Sequence, residues 1–146
     1  MKFSFLLCVL LGGTIIPSPI LAQLAAPAAV TNLAAPALAY SQVATDIARL
    51  MQRATALSDA QAAALLRREG PALRAKAGHV KPAYIRWVKG LSLAERKAEA
   101  KRLEASPWYQ YFSTLDLDTS ALGTKMKRNR ALAEQVLSLM DFADGV

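Results

Sequence analysis

Residues 41–70 read SQVATDIARLMQRATALSDAQAAALLRREG, and this stretch decides the fold. Val43, Ile47, Leu50, Met51, Ala54 and Leu57 recur at helical spacing and share one side of a helix, while Asp46, Arg49, Gln52 and Arg53 fall on the other. Ser58-Asp-Ala-Gln61 then has the form of a capping box. The Ser58 hydroxyl accepts an orphan N–H from the next helix's first turn, and the Gln61 side chain reaches back to Ser58. Gly70-Pro71 predicts the end of that second helix, since glycine closes helices and proline cannot continue them. The two elements with their short turn predict a tight helical hairpin.

Downstream the same signals repeat. Pro71 to Ala77 reads as a short helix ended at Gly78, and Pro82 opens a further segment, AYIRWVK, that closes at Gly90. Ser92-Leu-Ala-Glu95 is a second capping box, followed by an Ala-rich helix to about Ala105 whose only large apolar residues are Leu93 and Leu103. Ser106-Pro107 starts another element that carries Trp108, Tyr109, Tyr111 and Phe112, which are expected to anchor the core. After a turn at 116–119, Leu122, Met126, Ala133, Val136, Leu137 and Met140 form the stripe of one long final helix, with Asp118 expected as its cap. Ser113 to Asp118 is the one stretch that could be briefly extended. The expected fold class is all-α, a compact bundle of about five or six short-to-medium helices over residues 40–146.

Upstream, residues 23–39 contain LAAPA twice and little but small side chains. Pro27 and Pro36 interrupt any continuous helix there, so the stretch reads as a flexible Ala/Pro-rich tether. Residues 1–22, MKFSFLLCVLLGGTIIPSPILA, read as a signal peptide: Lys2, an apolar run from Phe3 to Leu11, breakers at Gly12, Gly13, Pro17 and Pro19, and small Ala22 before Gln23. The apolar run falls short of the about 20 residues a spanning helix needs, so no transmembrane span is expected after signal removal. Cleavage would remove the single cysteine, Cys8, and leave 124 residues that rely on packing rather than disulfides. The expected address is outside the cytoplasm, secreted or periplasmic.

The chain carries a net charge of +7, concentrated in its middle. Arg67, Arg68, Arg74, Lys76, Lys81, Arg86, Lys89, Arg96, Lys97, Lys101 and Arg102 face only Glu69, Glu95 and Glu99, and together they form the candidate partner-binding basic face. A protein partner or an anionic surface is the expected counterpart, and the Lys and Arg on short helices with few aromatics do not point to nucleic acid. The helix from Ser92 buries so little that it is a candidate element offered to a partner. Oligomeric state has no sequence signal.

No catalytic, cofactor-binding or metal-ligating residue is assigned. His79, between Gly78 and Val80, reads as a loop histidine without a recognisable nucleophile, and one histidine makes no His-rich metal site. Asp116 and Asp118 alternate as calcium ligands can, but the residues after them supply no further ligand series. An enzyme would have to assemble its site from dispersed groups such as Arg67, Arg68, Arg86 and Glu95.

Leu57-Ser-Asp-Ala-Gln61 and Leu91-Ser-Leu-Ala-Glu95 resemble the LTxxQ motif of small periplasmic stress chaperones over five residues each, with Ser in place of Thr in both and Glu in place of Gln in the second. Trp87-Val-Lys-Gly-Leu-Ser92, a helix, and Trp108-Tyr-Gln-Tyr111 are similar in order to the motifs of helical WY-domain effectors of plant pathogens, without their RxLR element. The expected function is that of an exported non-enzymatic helical binding protein, such as a secreted effector acting on a host or envelope target. The alternatives are an LTxxQ-type periplasmic chaperone and a small all-α enzyme.

Overall fold

The computed structural model describes residues 34–142; the candidate signal, Cys8 and most of the candidate tether lie outside them. Among the described residues there are six α-helices and no strand, the expected all-α bundle. They are α1 (Ala35–Ala56), α2 (Asp59–Gly90), α3 (Leu93–Glu104), α4 (Pro107–Thr114), α5 (Ala121–Arg128) and α6 (Arg130–Met140).

The expected hairpin is formed by α1 and α2. Val43, Ile47, Leu50, Met51 and Ala54 are buried along α1, and both halves of the Ser58 capping box are made: Gln61 N donates to Ser58 Oγ at 3.4 Å and Ser58 N to Gln61 Oε1 at 3.2 Å. The helix starts earlier than its sequence suggests, at Ala35, so residues 35–39 belong to α1 and not to a tether. Pro36 lies in the first turn, where its missing N–H has no helical acceptor to lose, and Ala37 and Tyr40 are buried.

A larger correction concerns α2. It runs unbroken for 32 residues, about 48 Å, through Gly70-Pro71, Gly78 and Pro82, so the three expected segments are one helix and His79 is an exposed helical residue rather than a loop one. An interior proline costs about 3 kcal/mol and leaves the carbonyl four residues earlier without its donor. Both prolines are on the solvent side, where water can serve those carbonyls. Leu65, Leu66 and Gly70 before the first proline and Ala77 and Tyr84 beyond it are buried, so packing overrides the local stop.

The C-terminal third differs in the opposite direction. The single final helix divides at Asn129, whose extended backbone (φ −134°, ψ 97°) ends α5 and whose Oδ1 accepts from Leu132 N at 3.1 Å to open α6. Ser120, not Asp118, caps α5, accepting from Gly123 N at 3.1 Å. Ser113 and Thr114 finish α4 rather than extending. Ser106 leaves the start of α4 uncapped and donates instead to Leu103 O at 2.5 Å.

The core is organised on α1, with α2 along it, α6 against α2, and α4 and α5 against α1. At one end Tyr40 stacks between Tyr84 (centroids 4.2 Å, planes 16° apart) and Phe142 (4.6 Å, 27°), with Trp108 edge-on at 5.8 Å. Of the four aromatics expected to anchor the core, Trp108 is buried, Tyr111 and Phe112 are half-buried and Tyr109 is exposed.

Two helical glycines make opposite predictions. A Cβ on Gly123 would stand 1.8 Å from Leu117 O and 2.5 Å from Leu117 C, so the backbone before α5 would have to move. Gly123→Ala is expected to cost about 3 kcal/mol. A Cβ on Gly78 meets nothing within 4 Å, and Gly78→Ala is expected to gain about 0.5–1 kcal/mol through helix propensity. Thermal unfolding of the two variants checks both signs.

Candidate functional site

The eleven basic residues divide into those with contacts inside the fold and those that face solvent alone. Five are engaged within the fold. Arg68 pairs with Glu69 at 2.8 Å, and Arg74 Nη1 donates to Ser138 Oγ at 2.7 Å. Lys81 Nζ donates to Asp141 O at 2.6 Å. Arg96 donates to the Leu91 and Lys89 carbonyls, both at 3.0 Å, and so closes the C-terminus of α2. Arg102 holds Glu99. Arg67, Lys76, Arg86, Lys89, Lys97 and Lys101 are exposed on α2 and α3.

Three of these cations, Arg74, Lys81 and Arg86, stand around a cleft of about 820 Å³ between the second half of α2 and the end of α6. Ile47 of α1 with Ala77, Leu139 and Phe142 form an apolar floor that belongs to the core, and Pro82 and Ile85 continue it along α2. Ser138 and Asp141 complete the α6 side. Gly78 lies in the α2 wall with nothing within 4 Å of the position its Cβ would take, so a larger side chain there has room to project. The carbonyl of Gly78 also has no helical donor, because that donor would be the absent N–H of Pro82. The lining therefore offers apolar surface, three cations and one carboxylate in the volume range of small-molecule sites.

Beside the aromatic stack lies a buried polar network. Tyr84 Oη donates to Glu99 Oε1 at 2.7 Å. Arg102 grips the same carboxylate with both arms, Nε to Oε2 at 2.7 Å and Nη2 to Oε1 at 2.6 Å, while its Nη1 donates to Ser41 Oγ at 2.8 Å. The network joins α1, α2 and α3, and Glu99 is the one buried residue of α3. Burial alone would push the Glu99 carboxyl up, but the hydrogen bonds from Arg102 and Tyr84, with the guanidinium charge, outweigh it and hold the group below its ordinary value. Burial first, and then the bond to Glu99, pushes the Tyr84 phenol up. Desolvation pushes Tyr40 up to about 12, so both tyrosines stay neutral at physiological pH.

The remaining candidates are separate. Asp116 organises its own turn, accepting from Asp118 N at 2.8 Å and Thr119 Oγ1 at 2.5 Å, and Asp118 lies 3.6 Å from Lys127. Glu95 is used as the capping carboxylate of α3, accepting from Ser92 N at 2.8 Å. Among the described residues no three His, Cys, Asp or Glu side chains are grouped as a metal site would require.

No family model, curated protein or solved structure matches this chain. Sequence reading missed the cleft because its floor comes from residues 47, 77, 139 and 142, while Gly78 and Pro82 read as punctuation. The signal that was present is their i, i+4 spacing, which puts both on one face if the helix continues.

Glu99→Gln is expected to lower stability by about 2 kcal/mol near neutrality, through loss of charge-assisted bonds in a buried setting. Because the native group titrates below the unfolded value of 4.5, its contribution is complete above that pH and is lost as pH falls through the lowered native value. Melting curves of the wild type and the variant should therefore separate at neutral pH and converge in acid; a constant gap would exclude an ionised Glu99.

Proposed function

We propose that this chain is an exported helical protein that works by binding rather than by catalysis, and that the cleft between α2 and α6 is where it binds. The cleft carries the reading: an apolar floor continuous with the core, cations on its rim, and a wall with no side chain at Gly78. Such a site suits a partner with an apolar body and negative charge. The outward-facing cations Arg67, Lys76, Lys89, Lys97 and Lys101 add a positive field around it that speeds encounter with anionic partners.

Export rests on residues 1–22 and on the Cys-free 124 residues after them. Among the described residues no helix is long and apolar enough to cross a membrane.

Two measurements test the proposal. Fractionation with N-terminal sequencing should recover a mature protein beginning at Gln23 outside the cytoplasm; a cytoplasmic protein that retains residues 1–22 contradicts export. The anionic fluorophore anilinonaphthalene sulfonate should bind the folded protein in a saturable way, and Gly78→Leu should abolish that binding while leaving the melting temperature equal or higher. Equal fluorescence in wild type and variant contradicts the cleft as the binding site.

A further inference from the structure

We infer that the cleft takes a free fatty acid, with its carboxylate on Arg86 and its alkyl tail along the α2–α6 seam toward Arg74. This rests on the reading of the cleft as the binding site and adds the chemical class of the ligand.

The polar groups of the cleft are not equivalent, and their differences set the orientation. Arg86 makes no hydrogen bond or ion pair among the described residues, and its exposed guanidinium presents the planar fork that matches a carboxylate through two parallel bonds. Arg74 is already held by the Ser138 hydroxyl at 2.7 Å and closes the far end of the seam. Between them Lys81 is tied to the backbone of Asp141, whose own carboxylate makes the middle of the rim less positive. The Arg86 end is therefore where a single anionic head is best compensated.

From residue 74 to residue 86 the α2 wall extends about 18 Å along the helix axis. Along that length Ala77, Pro82 and Ile85 from α2, and Leu139 and Phe142 from the end of α6, give an apolar strip above Ile47, with Lys81 and Asp141 on its rim. Gly78 places no side chain at mid-length. A long apolar strip with one available cation at its end matches a single-headed, single-tailed amphiphile. A phospholipid headgroup in a membrane would meet the exposed cations without entering the seam.

The test is calorimetric titration of the full-length mature protein with laurate below its micelle concentration. The expected result is saturable one-to-one binding, with octanoate weaker by more than tenfold, since each methylene buried is worth about fourfold in affinity. Arg86→Gln should weaken laurate about tenfold, leave 1-dodecanol unchanged and leave the melting temperature unchanged. Gly78→Leu should abolish laurate binding without lowering the melting temperature. Laurate binding that is indifferent to both substitutions, or to chain length, overturns the inference. So does binding confined to anionic phospholipid vesicles and insensitive to Gly78→Leu. If laurate fails while the fluorophore still depends on Gly78, the ligand class falls and the binding cleft stands; if neither ligand depends on Gly78, both fall.

Discussion

The stack of Tyr40 between Tyr84 and Phe142 is the contact on which the rest of the architecture depends. It brings together the first turns of α1, the last third of α2 and the chain just past α6, with Trp108 of α4 closing the edge. Such pairs contribute about 0.5–1.5 kcal/mol each beyond the area they bury. The stack is also closed chemically. The Tyr84 hydroxyl reaches Glu99, Arg102 holds Glu99, and Arg102 returns to Ser41, the neighbour of Tyr40. Three helices are thereby tied by one loop of aromatic and charge-assisted contacts. Phe142, on the far side of the stack, is part of the cleft floor, so the same contact that orders the core shapes the site.

This arrangement explains how α3 can be so polar and still dock. It has little apolar surface to bury, and Leu93 remains 70 % exposed. It is held by Glu99 and Arg102 on the inside, the Ser92 capping box at its start, and Arg96 closing the end of α2. A buried ion pair is weak grounds for stability in itself, because desolvation opposes it. Here the Glu99 carboxylate has a partner on each oxygen, and the pair specifies where a featureless helix sits.

Fold class was legible in the chain because the relevant signals are local. Both capping boxes read from Ser58 and Ser92 are made, and the stripe from Val43 to Ala54 faces the core. The failures are places where distant contacts decide. Gly70-Pro71 has every local mark of a helix end, yet residues on both sides of it are buried in one core and the helix continues. Asn129 carries a weaker local signal and does break the chain, since its side chain caps the start of α6. The basic residues were legible as a set, but composition cannot say that Arg102 is spent on Glu99 while Arg86 is not. The cleft was least legible of all, because it is assembled from three helices that meet only through the fold.

The α2 wall of the cleft carries two residues that weaken a helix. Gly123 is required by packing: the Leu117 backbone occupies the space of its side chain. Gly78 has no such requirement, and as an interior helical glycine it forgoes about 1 kcal/mol relative to alanine. Four residues on, Pro82 removes a helical hydrogen bond on the same wall. Two destabilising choices one turn apart, neither demanded by the core, leave an apolar seam open to solvent beside an exposed arginine. A fold under selection for stability alone would fill that wall with alanine or leucine and close the ladder. A wall kept bare at this cost is expected where something else fills it, since sites for ligands are where stability is commonly given up for function.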